Sequence, residues 1–152
     1  LRAGDMRKLQ IHSAARPAPD TVFLHADGSE LRLSDYQGKV VVLNFWATWC
    51  PPCVEEMPLI DAFFKQNKSN VQVLGLAVDR ADAVGSFLGN WPVAFDIALA
   101  GMAGTTLSKT LGNPSGGLPF SVFIDKDERI VLQKVGKLED SDFAAMTRIL
   151  KA

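Results

Sequence analysis

The order of apolar and polar residues predicts strands that alternate with helices. Residues 39–47 form an almost continuous apolar run that is rich in valine and has no polar residue at every second position. A strand without this alternation is covered on both faces, as in the centre of a sheet. Further strands are predicted at residues 71–78, 93–98, 120–124 and 129–135, and helices at residues 51–67, 81–90, 105–111 and 138–151.

Proline and capping residues mark the ends of these helices. Pro51 suits the first turn of its helix, where amide protons have no intrahelical partner, and Pro58 should kink the same helix further along. Gly112 and Pro114 should end the third helix. Ser141 or Asp140 is the predicted N-cap of the last helix.

The chain before the central strand predicts a β-hairpin. Residues 21–25 and 30–33 form two short strands, and Asp27 and Gly28 between them are typical of a tight hairpin turn. Residues 1–17 are predicted to be a flexible lead-in, and residues 18–152 to form one domain. The whole pattern predicts an α/β fold with a mixed sheet, helices on both faces and an N-terminal hairpin.

Composition and charge exclude several classes of function. The 152 residues are 47% hydrophobic and 22% charged, as in globular domains, and the net charge of −1 offers no general attraction to nucleic acid. No apolar run is long enough to span a bilayer. Because the chain begins with Leu1 rather than Met, we expect that a preceding segment carries any signal or anchor.

The two cysteines, Cys50 and Cys53, predict redox chemistry. A pair so close in sequence adds little to global stability, which indicates a chemical role. Cys50 falls where a strand ends and a helix begins, so the helix dipole stabilises a thiolate there. Cys53 lies one turn inside the helix and should resolve the mixed disulfide that Cys50 forms.

The intervening residues, Pro51 and Pro52, predict a reductant. Each proline lacks an amide proton that would otherwise support the Cys50 thiolate, and together they stiffen the turn. We therefore expect a potential nearer to that of thioredoxin, about −270 mV, than to that of a strong oxidant, about −120 mV.

A metal site is the first competing interpretation of the cysteine pair. Zinc would need a second ligand pair, but the chain has no third cysteine, and its two histidines, His12 and His25, both lie upstream. A pair of inert buried thiols fits poorly with the start of a helix. No metal and no cofactor are predicted.

Residues 44–53, together with Glu55, Glu56, Met57 and Pro58, closely resemble the thioredoxin superfamily. The chain is most similar to the TlpA/ResA-like branch of bacterial extracytoplasmic thiol–disulfide reductases, and residues 18–20 and 33–39 also match that branch. The resemblance covers roughly residues 18–151. It implies a thioredoxin fold, a periplasmic or membrane-tethered protein that reduces protein disulfides, and a membrane thiol carrier as electron donor. Apocytochrome c thiols and copper-site assembly proteins are both implied as targets.

The resemblance also implies roles for residues outside the cysteine pair. Leu118 and Pro119 match the loop where the superfamily has a cis proline facing the active site, and Pro51, Pro52 and Trp49 would complete a substrate groove. Residues 79–113 match an α/β insertion of the branch. Trp49 is expected at an exposed lip, whereas Trp91 and Phe95 in the insertion are expected to serve packing rather than recognition.

One departure from thioredoxins concerns proton transfer. Thioredoxins have a buried acid where this chain has Asn44, which cannot titrate. The resemblance suggests an acid elsewhere, near the end of the following strand. Asp79 is the first candidate to assist Cys53, with Glu56 behind it, although Asp79 is equally well explained as a strand-end loop residue.

Three other functions compete with a reductase. An oxidase or isomerase would use the same residues at a different redox potential. A copper-binding chaperone of this fold would use Cys-x-x-x-Cys and a late histidine, both of which this chain lacks. A peroxidase would need an isolated reactive cysteine. The partners expected are protein thiols and disulfides, and the protein is expected to be a monomer.

Overall fold

The strands and helices occur in the predicted order, with one additional strand. The computed structural model describes residues 9–11, 21–36, 38–127 and 129–151. Its strands are β1 (Leu9–Ile11), β2 (Val22–Leu24), β3 (Glu30–Arg32), β4 (Val40–Trp46), β5 (Val71–Ala77), β6 (Asp96–Leu99), β7 (Phe120–Ile124) and β8 (Ile130–Val135). Its helices are α1 (Pro51–Asn67), α2 (Ala81–Asn90), α3 (Gly101–Thr110) and α4 (Asp140–Lys151), with a 3-10 helix at Leu33–Tyr36.

Within the described residues, the strands form one mixed sheet in the order β1-β8-β7-β4-β5-β6-β2-β3. The pairs β4–β5 and β5–β6 are parallel, and the other pairs are antiparallel. The predicted α/β mixed sheet is therefore confirmed. Strand β4 lies in the middle of this sheet, and α1 is the next element along the chain.

Strand β4 lacks polar alternation because both of its faces are covered. Val41, Leu43 and Phe45 belong to one buried cluster, while Val42 and Trp46 belong to a second cluster on the other face. The second cluster includes Met57 of α1 and Met146 of α4. Helix α1 is thus packed directly on the central strand, which gives the cysteine pair a rigid support.

The predicted hairpin forms at one end of the sheet. Strands β2 and β3 pair antiparallel, with Val22 opposite Arg32, and Asp27 Oδ1 accepts the Ser29 N–H in the turn at 2.9 Å. Gly28 has a φ of 91°, a left-handed conformation that glycine adopts without strain. The hairpin also contacts β6, where Leu24 pairs with Leu99.

The predicted lead-in contains a strand that the sequence did not indicate. Within residues 1–17, Leu9–Ile11 pairs antiparallel with β8, and Leu9 lies opposite Lys134. A three-residue segment is too short for an alternating pattern to reveal it. The rest of the predicted lead-in lies outside the described residues.

Two predicted boundaries were wrong, and each lies beside a hydrogen bond between distant parts of the chain, from Ala94 to Asp61 and from Ala100 to Ala77. Strand β6 begins at Asp96 rather than at residue 93, and the Ala94 N–H is bound by Asp61 Oδ1 at 2.8 Å. Helix α3 begins at Gly101 instead of residue 105. Helix α1 runs through Pro58 without a break, and its kink stays a prediction.

The predicted cap of the last helix was also wrong. Helix α4 begins at Asp140, so Asp140 and Ser141 lie within it. The Glu139 N–H just before the helix is bound instead by Asp142 Oδ2, at 2.8 Å. The last helix therefore begins with a carboxylate from its third residue folded back onto the chain, as in a capping box.

Gly75 in β5 permits close packing beneath the active site. A Cβ at this position would lie 2.7 Å from Ile97 Cδ1 and 3.2 Å from Trp46 Nε1. We expect Gly75→Ala to reduce the free energy of unfolding by about 1–3 kcal/mol, because overpacking forces neighbours apart. Gly85→Ala, where a Cβ meets nothing within 4 Å, is the control and should be neutral or stabilising. Urea unfolding of both variants tests this, and equal stabilities would contradict the packing argument.

Candidate active site

The two cysteines lie at the junction between β4 and α1. Cys50 is the N-cap of α1, with φ −109° and ψ 102°, and Cys53 lies in its first turn. A disulfide joins them, with Cα atoms 5.3 Å apart. The sequence-based placement of Cys50 at the start of a helix is therefore what the structure shows.

In the described part of the chain, one backbone amide donates to the disulfide sulfur of Cys50. The Cys53 N–H donates to Cys50 Sγ at 3.4 Å. Pro51 and Pro52 occupy the first two helical positions and have no N–H, so Cys53 supplies the first amide proton of the helix. Cys50 is 6% exposed and Cys53 is fully buried, so an incoming sulfur can reach Cys50 but not Cys53.

The surface around the pair is apolar. Trp49 is 64% exposed, in agreement with a lip beside the cysteines, and Pro51 and Pro52 are exposed as well. The Leu118-Pro119 peptide bond is cis. Phe120, the residue after Pro119, pairs with Phe45 of β4, so Pro119 lies near the end of β4 that leads to the cysteines.

Asn113 holds the loop that precedes Pro119, a role that the sequence analysis missed. Its buried side chain donates from Nδ2 to the Gly117 carbonyl at 2.8 Å and to Ser108 Oγ at 3.2 Å. The asparagine between Gly112 and Pro114 was the available signal, because asparagine side chains commonly bond to nearby backbone in turns.

Asp79 binds the loop that carries the cysteines. Its Oδ2 accepts both the Thr48 N–H, at 2.9 Å, and the Thr48 hydroxyl, and its Oδ1 accepts the Arg80 N–H at 2.8 Å. Burial acts to raise the pKa of Asp79, but these hydrogen bonds outweigh it and hold the pKa below its usual value. Asp79 is therefore ionised at neutral pH and fixes the end of β5 to the active-site loop.

Glu56 is a fully buried acid on the same helix as Cys53. Its Oε1 accepts the Asn44 side-chain N–H at 2.6 Å, and its Oε2 accepts the Leu138 N–H at 2.7 Å. Burial raises the pKa of Glu56 to about 7, although the hydrogen bonds from Leu138 and Asn44 partly oppose the shift. Residues three apart on a helix are neighbours on its surface, so Glu56 lies one turn from Cys53.

A buried ion pair contributes to the electrostatic surroundings of Glu56. Lys134 Nζ of β8 is paired with Asp142 Oδ2 of α4, and both side chains are almost fully buried. The positive charges of Lys134 and of Lys137 also act to lower the pKa of Glu56. Lys137 itself pairs with Glu55 at the surface, 3.2 Å apart.

The described residues offer neither a metal site nor a membrane-spanning helix. In the part of the chain that the structure describes, no three His, Cys, Asp or Glu side chains are grouped as a metal site would need. None of the described helices combines the length and apolar character needed to cross a membrane.

Comparisons with known proteins agree with this geometry. Residues 13–150 match the Redoxin family model. The chain is 36% identical over 135 residues to the thiol-disulfide oxidoreductase ResA of Bacillus thuringiensis, which covers 88% of this chain and 74% of that protein. Among solved structures, a Chlorobium tepidum protein described as thiol:disulfide interchange protein DsbE has a TM-score of 0.77 and 30% identity, over 90% of this chain and 95% of its own. The exposed lipoprotein thioredoxin Etrx1 of Streptococcus pneumoniae has a TM-score of 0.69 and 26% identity, over 88% and 98%.

The thioredoxin fold, with a cysteine pair at the start of the helix that follows its central strand, defines an enzyme of the thiol–disulfide oxidoreductase class. The chain belongs to the Redoxin family and is a thiol–disulfide oxidoreductase of the ResA and DsbE type.

Proposed function

We propose that the Cys50–Cys53 pair reduces disulfides in partner proteins. The observation that carries this proposal is the single amide, from Cys53, that supports Cys50 Sγ. A strong oxidant needs a well-stabilised thiolate in its reduced form. Pro51 and Pro52 lack the two N–H donors that other residues would supply at these positions. The Cys50 thiolate is therefore less stabilised than it would be with those donors, and the disulfide is favoured relative to the dithiol.

The proposed reaction transfers two electrons to the target. The Cys50 thiolate attacks one sulfur of the target disulfide, and the other target sulfur leaves as a thiolate. The Cys53 thiolate then attacks Cys50 Sγ, breaks the mixed disulfide and releases the second target thiolate. The pair ends oxidised, the target ends as a dithiol, and the protons of the two enzyme thiols pass to the target thiolates and the surrounding bases.

We assign the proton acceptor for Cys53 to Glu56 rather than to Asp79. Asp79 is a weak base because its pKa is lowered and its oxygens are already bound to Thr48 and Arg80. Glu56 is buried one turn from Cys53, and its pKa of about 7 suits proton exchange near neutral pH. We infer that Asp79 positions the loop instead.

Asn44 supports this assignment because its amide can serve either form of Glu56. Asn44 Nδ2 donates to Glu56 Oε1, and an ionised carboxylate needs such a donor. The same Nδ2 also donates to Ser121 Oγ. Asn44 Oδ1 is buried and has no hydrogen-bond partner among the described residues. A rotation of the amide would let this oxygen accept the proton of a neutral Glu56.

The proposed cellular setting follows from the relatives. We propose that the protein acts outside the cytoplasm, as the name of the exposed lipoprotein thioredoxin indicates for that relative. A membrane thiol carrier is the proposed electron donor. Apocytochrome c and copper-site assembly proteins are the proposed targets, as the resemblance to the TlpA/ResA-like branch implies.

A turnover assay tests the direction of the reaction. Reduction of a protein disulfide by dithiothreitol is measured with and without the enzyme, together with oxidation of a reduced, unfolded protein. We expect the enzyme to accelerate reduction and Cys50→Ser to lose this effect. Rapid oxidation of the reduced protein, with no acceleration of reduction, would assign the pair to an oxidase.

A further inference from the structure

An apolar groove lies beside α1, the helix that carries the cysteine pair. One wall is α1, with Val54, Pro58 and Ala62, and the other is α2 and the segment after it, with Phe87, Trp91 and Val93. The groove has a volume of about 500 Å³. We call it the α1–α2 groove. Its second wall belongs entirely to residues 79–113, the segment that the sequence analysis interpreted as an insertion.

Trp91 lies at the edge of the α1–α2 groove and is 67% exposed. A packing role was predicted for both Trp91 and Phe95; Phe95 is packed, at 4% exposure, but the prediction for Trp91 was wrong. The helix ends at Asn90, so Trp91 follows its last turn and is carried outward. Exposed tryptophans beside apolar surface are typical anchors of protein interfaces.

The α1–α2 groove is preformed and has no net charge. Asp61 Oδ1 of α1 accepts the Ala94 N–H of the opposite wall at 2.8 Å, which ties the two walls together. Asp61 Oδ2 also pairs with Lys65 at 3.1 Å. The two charged residues of the groove therefore neutralise each other, and an uncharged apolar occupant fits better than a charged one.

The α1–α2 groove begins within one helical turn of Cys50. The Val54 N–H donates to the Cys50 carbonyl at 3.1 Å. With a rise of about 1.5 Å per residue, Val54 lies about 6 Å and Pro58 about 12 Å along the helix axis from Cys50. An extended chain advances about 3.3 Å per residue, so two to four residues of a bound substrate would cover this distance.

We propose that the α1–α2 groove binds an extended, uncharged apolar segment of the protein substrate, two to four residues from the cysteine that bonds to Cys50. The inference rests on the proposed reductase function and names the substrate feature that its surface recognises. Continuity with the reactive cysteine, neutral apolar walls and the exposed Trp91 all favour a substrate segment as the occupant. A large apolar side chain held in such a groove increases selectivity without touching the reacting sulfurs.

Peptide disulfides test this proposal. Each peptide pair differs only in having Phe or Ser three residues from the cysteine. In one series this residue precedes the cysteine, and in a second series it follows the cysteine. A small aliphatic disulfide is the reference substrate. Ala62→Trp fills the groove from an exposed position, and Trp91→Ala removes its rim. Leu59→Trp, at a 41% exposed position of α1 that does not line the groove, is the matched control.

We expect the wild-type enzyme to reduce the Phe peptide of one series about tenfold faster in kcat/KM than its Ser counterpart. Ala62→Trp and Trp91→Ala should remove this preference and leave the small disulfide unaffected, while Leu59→Trp keeps it. Equal rates for the Phe and Ser peptides in both series would overturn the groove proposal and leave the reductase intact. A wild-type protein that reduces neither peptide nor small disulfide would overturn the proposed function and the groove proposal with it. A dimer that Trp91→Ala dissociates would assign the groove to a second copy instead.

Discussion

Cys53→Ser is expected to trap target proteins as stable mixed disulfides on Cys50. Cys50 Sγ is the sulfur that an incoming partner can reach, and Cys53 is needed to release that partner. Without Cys53, one target should remain bound per enzyme molecule and turnover should fall to the level of the reductant alone. Non-reducing electrophoresis and intact mass measure the trapped species.

Cys50→Ser is the matched control, because it keeps a thiol in the helix but removes the accessible one. It should trap nothing and reduce nothing. Both variants should fold, since a loop this short contributes about 2 kcal/mol at most. Full turnover by Cys53→Ser, or alkylation of Cys53 before Cys50 in the reduced enzyme, would reverse the assigned roles of the two cysteines.

Glu56→Gln is expected to remove a pH dependence from both stability and catalysis. Burial raises the pKa of Glu56 from 4.5 to about 7, so the folded state binds this proton more tightly than the unfolded state does. The associated stability is fully present below about pH 4.5 and is lost as the pH rises through about 7. The difference amounts to about 3 kcal/mol, which Gln should no longer show because it cannot ionise.

In catalysis, Glu56→Gln should slow the resolution of the mixed disulfide near neutral pH by about a hundredfold, because Cys53 loses its buried base. The inflection near pH 7 in the rate of resolution should disappear as well. Glu55→Gln is the control, since Glu55 is the exposed neighbour that pairs with Lys137 at the surface. If Glu56→Gln retains the wild-type pH profile in both unfolding and resolution, Glu56 has no part in proton transfer.

Local patterns in the sequence were sufficient to predict the centre of the fold. The unbroken apolar run of β4 indicated a strand covered on both faces, and the two prolines after Cys50 indicated the start of α1. Both signals arise from neighbouring residues, and so they are visible in the sequence. The place of Cys50 at the N-cap follows directly from them.

The surroundings of Glu56 were not predictable in the same way, although the sequence offered Glu56 as the second candidate after Asp79. Glu56 accepts the N–H of Leu138, which lies 82 positions further along the chain, and only the packing of α1 against the loop before α4 brings them together. Asp79 was the first candidate because the resemblance suggested an acid near the end of β5, and its hydrogen bonds to Thr48 also depend on tertiary structure. Burial of Glu56 depends on tertiary structure, and burial is what raises its pKa.

The equilibrium redox potential of the Cys50–Cys53 pair tests the central claim most directly. The protein is equilibrated in dithiothreitol or glutathione redox buffers and then alkylated. Intact mass spectrometry measures the fractions of dithiol and disulfide. With a single amide on Cys50 Sγ, we expect a potential nearer to about −270 mV than to about −120 mV. A value close to the strong-oxidant end would contradict the account, because the Cys50 thiolate would then be far better stabilised than one amide allows.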